Sequence, residues 1–137
     1  MATVKLLSDD ELSVEARTVF DDIRKERKSE FVNNFWRALA HDPKTLRRTW
    51  ESIKDVMAPG ALDPKFKEML YVAVSIAHGC SYCIHSHTAA ARTKGMTDSE
   101  YQEMLAIVGM AAETNRLVTA LGVPVDEAFL VDGDDGA

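Results

Sequence analysis

The sequence predicts an all-α fold of about six helices, with one helical hairpin carrying a Cys-x-x-Cys motif. Three observations lead there. Apolar residues recur at helical spacing in one segment after another. Helix starts are marked by Asp42-Pro43 and Asp63-Pro64, and by the capping boxes Ser8–Glu11 and Thr97–Glu100. No stretch alternates with a period of two; the one β-branched patch, residues 72–76, sits inside a helical frame.

The elements follow in order. Ser8 with Glu11 opens a first helix whose stripe is Leu12, Ala16, Val19, Phe20 and Ile23. It ends in the charged cluster 24–28, whose basic members suit the negative pole of the dipole. A short second helix spans residues 30–40 and carries Phe31, Phe35, Trp36 and Leu39. Asp42 caps a third helix with Leu46, Trp50, Ile53 and Met57 on one face, and Ala58-Pro59-Gly60 breaks it. The fourth, residues 64–77, is apolar on most of its circumference and is expected to be buried in a core or an interface. Glu68 is the residue out of place in it. Gly79 is a C′ residue, and a fifth helix runs from the Cys80 segment to Thr93, closed by Lys94-Gly95. Thr97 opens a sixth, ending near Leu121 before Gly122 and Pro124. Residues 1–125 read as a single domain, and residues 126–137 as an acidic, partly disordered tail.

Composition narrows the function. The net charge of −6 and the lack of a basic stripe with interleaved aromatics argue against a nucleic-acid partner. The N-terminus lacks the apolar region of a secretory signal, and no apolar run approaches the length that spans a bilayer. A cytoplasmic location with no membrane partner is therefore the expectation. In a reducing compartment a close cysteine pair is redox-active or metal-binding rather than a structural staple.

Both cysteines lie in Cys80-Ser81-Tyr82-Cys83-Ile84-His85-Ser86-His87. On one helix Cys80, Cys83 and His87 share a face, while His85 points elsewhere. The helix N-terminus favours a thiolate at Cys80; His87, one turn beyond Cys83, favours one there. Both assignments stand on the residues alone. A buried carboxylate at Glu68 needs a partner. In an antiparallel hairpin Glu68 lies roughly 16 Å of axial rise back from the turn and His87 about 10 Å forward, so Glu68 reaches His87 more easily than either sulfur. Zinc is disfavoured, because His85 diverges from the thiols and no second cysteine pair exists; neither a metal nor a cofactor is expected. His41 and His78 read as helix-end residues, and Trp36 and Trp50 as core.

The spacing from Glu68 through Cys80-x-x-Cys83 to His87 resembles the AhpD-like branch of the carboxymuconolactone decarboxylase superfamily. The flanks agree: residues 34–43 (NFWRALAHDP), Lys67-Glu68-Met69, Asn115-Arg116 and Gly122-Val123-Pro124. The resemblance implies an all-helical fold assembling into homotrimers or homohexamers. It implies alkylhydroperoxidase-type activity on hydrogen peroxide or organic hydroperoxides, with an external dithiol as reductant. By position, Glu68 and His87 form a proton relay, Cys83 is the thiol it activates and Cys80 the disulfide partner. Tyr82 departs from the pattern, since the best-known members carry histidine there; tyrosine is a poor base near neutrality, which points to a generic peroxidase. Two alternatives are a lactone decarboxylase of the superfamily's other branch and a non-catalytic redox-sensing oligomer.

Overall fold

The computed structural model describes residues 1–130. Six α-helices and two short 3-10 turns make up the regular structure, with no strand among the described residues. They fall into two compact units, Met1–Pro59 and the segment from Gly60 onward.

The first unit holds α1 (Val14–Arg27), α2 (Asn34–Leu39) and α3 (Pro43–Met57). Its core joins Leu12, Ala16, Phe20 and Ile23 to Trp36, Leu46 and Trp50. The two indoles meet edge to face at 5.6 Å, the arrangement their ring quadrupoles favour. Asp22 fastens α1 to α3 by accepting from Trp50 Nε1 at 2.6 Å and Lys54 Nζ at 2.7 Å. Two boundaries differ from expectation. The Ser8–Glu11 box closes only a 3-10 turn, because Leu12 goes extended to bury its side chain and Ser13 caps α1 afresh. The second helix begins at Asn34 rather than near residue 30, because Val32 is pulled into the core while Phe31 stays exposed.

The second unit holds α4 (Pro64–His78), α5 (Ser81–Thr93) and α6 (Asp98–Leu121). Asp63 caps α4 by accepting from the amides of Lys65 and Phe66. The turn into α5 is tight. Gly79 adopts φ +70°, a left-handed conformation that glycine takes without penalty, and the Cys80 amide donates to the Ser75 carbonyl at 3.0 Å. The result is a helical hairpin in which Glu68, Val72 and Ser75 form the buried stripe of α4.

The rest of α4 is not enclosed within this chain: Phe66, Leu70 and Val74 are exposed. So are Ile107, Met110, Leu117, Val118 and Leu121 on α6, where Met104 is the buried residue. α6 also departs from the expectation about apolar length. An 18-residue stretch within its 24 residues reaches a mean hydropathy of 1.2, long and apolar enough by length and composition to cross a membrane. Leu105, Ile107 and Val108 with the alanines at 111 and 112 carry the average, while Glu113, Asn115 and Arg116 interrupt the apolar run. Glu127–Phe129 forms a 3-10 turn, and residues 131–137 of the expected tail lie outside the described residues.

Candidate active site

Each hairpin arm presents one half of a constellation. Cys80 is the N-cap of α5, and its sulfur accepts from the Cys83 amide at 3.2 Å. The first turn of a helix leaves amides without intrahelical partners, so sulfur at this position meets a donor and the positive end of the dipole. Cys80 and Cys83 are joined as a disulfide, with Cα atoms 5.3 Å apart, a separation that a helical turn supplies and a disulfide accommodates. Both residues are half-buried.

One turn beyond Cys83, His87 meets α4. Its Nδ1 lies 2.7 Å from Glu68 Oε2. The second oxygen, Oε1, accepts from Lys94 Nζ at 2.6 Å. The Glu68 side chain is only 6% exposed and that of His87 16%, whereas Lys94 keeps 39% of its surface. Tyr71, one turn after Glu68, stacks on the imidazole with centroids 3.6 Å apart and planes 20° from parallel. The ring of His87 is therefore held at its edge by a carboxylate and on its face by a phenol.

Burial pushes the Glu68 carboxyl up. The hydrogen bonds from His87 and Lys94, with the Lys94 charge, outweigh burial and hold it below its ordinary value of 4.5. Glu68 is thus a carboxylate near neutrality, an acceptor only. The hydrogen in the 2.7 Å contact then sits on His87 Nδ1, and in the neutral ring Nε2 carries the lone pair. A ring in this tautomer can take a proton at Nε2 while its other edge stays fixed.

The four residues singled out by the sequence thus come together as two pairs. The disulfide joins Cys80 to Cys83, and the hydrogen bond joins Glu68 to His87. His85 lies on the exposed side, its Nδ1 bonded to the Ser81 carbonyl at 2.9 Å. His41 is bonded to the Lys5 carbonyl in the other unit, and His78 is exposed at the end of α4. No group of three or more histidine, cysteine or acidic side chains fit to hold a metal ion occurs among the described residues.

Two members of the site escaped the sequence reading, Lys94 and Tyr71. A signal existed for both. Cys80, His87 and Lys94 recur every seven residues, which returns to one helix face, and Tyr71 follows Glu68 by three.

Comparison with known proteins agrees with this architecture. The crystal structure of the alkylhydroperoxidase AhpD core from Rhodospirillum rubrum superposes with a TM-score of 0.93 and 64% sequence identity, over 96% of this chain and 99% of that one. Uncharacterized protein 4 in the cox locus of Paracoccus denitrificans is 38% identical over 52 residues, 38% of this chain. That match spans about half of the relative, 47% of its length. Residues 43–126, which contain the whole hairpin and its cysteine pair, match the carboxymuconolactone decarboxylase family, and the chain belongs to that family as an AhpD-like member.

Proposed function

We propose that this protein is a thiol-dependent peroxidase that reduces hydrogen peroxide or organic hydroperoxides through a Cys80–Cys83 dithiol–disulfide cycle. The observation that carries the reading is a disulfide one helical turn from a histidine whose tautomer is set by a buried carboxylate. The 64% identity to an alkylhydroperoxidase core supports it.

In the reduced protein His87 Nε2 takes the Cys83 proton, and the thiolate attacks the terminal peroxide oxygen. The S–O bond forms as the O–O bond breaks, leaving Cys83 as a sulfenic acid. The departing alkoxide takes a proton, from the imidazolium or from water, and leaves as an alcohol. The Cys80 thiol then attacks the Cys83 sulfur; the S–S bond forms and water is lost. An external dithiol opens the disulfide at Cys80 through a mixed disulfide, and its second thiol completes the exchange. The net change is hydroperoxide plus dithiol to alcohol, water and a cyclic or linear disulfide. The exposed apolar faces of α4 and α6 are covered by further copies of this chain in a homotrimer or homohexamer.

Serine variants separate the two roles. Cys83→Ser and Cys80→Ser each abolish turnover with peroxide and a dithiol. In a single turnover, pre-reduced Cys80→Ser still consumes one equivalent of peroxide and stops at the sulfenic acid, while Cys83→Ser consumes none. Undiminished turnover in Cys83→Ser overturns the assignment. Activity that survives alkylation of both thiols points instead to lactone chemistry, and a reversible disulfide without turnover to a redox sensor.

A further inference from the structure

Lys94 pairs with the buried carboxylate of the site, and the cycle just described makes no use of it. It lies at the C-cap of α5, two turns beyond His87 and on the same face. Its ammonium occupies Oε1 of Glu68 at 2.6 Å while His87 Nδ1 occupies Oε2 at 2.7 Å. Two other cations of this unit pair away from Glu68: Lys65 with Glu100 at 2.8 Å, and Arg92 with Asp98 at 3.4 Å. Glu68 and Tyr71 from α4 touch the imidazole, Lys94 at the end of α5 reaches it through Glu68, and Cys83 lies one turn before it on α5.

We propose that Lys94 is a positioning residue of this site: by holding one oxygen of Glu68 it keeps the other as a fixed acceptor for His87 Nδ1–H, and so keeps Nε2 bare. The reason lies in the proton count of the coupled pair. With one proton more than the carboxylate–imidazole state, the pair is either carboxylate–imidazolium or carboxylic acid–imidazole. In the first, Nε2 carries a hydrogen. In the second, the acid donates to Nδ1 and the ring hydrogen moves to Nε2. Either way Nε2 can no longer accept a thiol proton. A fixed positive charge against Glu68 opposes uptake of that proton, because it favours the carboxylate and disfavours a second cation nearby. Lys94 thus guards the base without touching the sulfur or the peroxide.

The inference rests on the peroxidase reading only for its purpose, and its test is spectroscopic. Nitrogen-15 NMR of the His87 ring is recorded on reduced wild-type protein, Lys94→Gln and Lys94→Arg over pH 5 to 8. The wild type is expected to show hydrogen on Nδ1 and none on Nε2 at the alkaline end. Lys94→Gln, uncharged but polar and of similar length, is expected to gain the Nε2 hydrogen at higher pH than wild type. Lys94→Arg is expected to restore the wild-type curve. Coincident curves for wild type and Lys94→Gln overturn the proposal. Should the glutamine variant fail to fold, the wild type alone decides: hydrogen on Nε2 rather than Nδ1 of the neutral ring overturns it. Loss of peroxide turnover in every protein with the NMR outcome intact would count against the peroxidase reading and leave the role of Lys94 standing.

Discussion

Replacing Glu68 by glutamine removes one charge from the site and almost nothing else. The residue is 5% exposed, so a variant of the same shape keeps the packing of α4 against α5. What it disturbs is the division of the carboxylate between two donors, His87 Nδ1 at 2.7 Å and Lys94 Nζ at 2.6 Å. The amide has a single oxygen. If that oxygen accepts from His87, the NH2 group faces the Lys94 ammonium. If it accepts from Lys94, the NH2 group faces Nδ1, which must then accept, and the ring hydrogen moves to Nε2. The first arrangement replaces a charge-assisted bond with a neutral one, and the second disables the base. A hydrogen bond to a charged group contributes about 1.5–3 kcal/mol. Lost entirely from the activated state, that corresponds to a rate about ten- to a hundredfold lower. The measurement is disulfide formation after rapid mixing of pre-reduced protein with excess peroxide, quenched with alkylating agent and read by mass spectrometry. A Glu68→Gln rate within about twofold of wild type, in a variant with unchanged circular dichroism, would refute the relay.

Two further outcomes follow from the geometry. Six carboxyls lie below their ordinary values: Glu68 as described, Asp9 through Arg24 and Arg37, Asp22 through Lys54 and Trp50, Asp42 through the Thr45 hydroxyl and the amides it caps, Glu100 through Lys65 and the Thr97 cap, and Glu11, at about 2, through Lys5 and Ser8. A carboxyl depressed on folding stabilises fully above its unfolded value, 3.8 or 4.5 here, and loses that contribution as pH falls through the folded value. The urea midpoint should thus fall as the pH is lowered from about 5 towards 2, and a higher midpoint at pH 3 than at pH 6 contradicts the assignments. On α6, Ile107 is 69% exposed, and an aspartate there is costly only if another surface covers it. Light scattering should give the wild type a trimer or hexamer mass and Ile107→Asp a smaller one; a monomeric wild type sinks the assembly.

The hairpin was legible because its signals are local. Asp63-Pro64 starts α4, Gly79 permits the left-handed turn, and the cysteine and histidine spacing falls on one side of α5. Glu68 stood out because a carboxylate among apolar residues demands a partner. The errors arose where tertiary packing overruled a local signal. The Ser8 box is genuine, yet the burial of Leu12 ends its turn after three residues. Val32 is drawn extended into the core, which delays α2. Lys94 was hidden for a different reason. A lysine before glycine at a helix end satisfies the dipole on the surface, and only the packing of α4 against α5 brings its ammonium to a buried oxygen. The Tyr71 stack likewise depends on where the two helix faces meet.

The backbone around Cys80 has a consequence for the proposed dithiol–disulfide cycle. The amide of Cys80 is tied back to Ser75, and its sulfur rests against the amide of Cys83, so the residue is clasped on both sides by main chain. Those clasps do not depend on the S–S bond. The amide facing the sulfur in the oxidised chain is equally suited to a thiolate in the reduced one. In the cycle proposed above, oxidation and reduction would then alter the S–S bond while these main-chain contacts hold the Cys80 segment where it is.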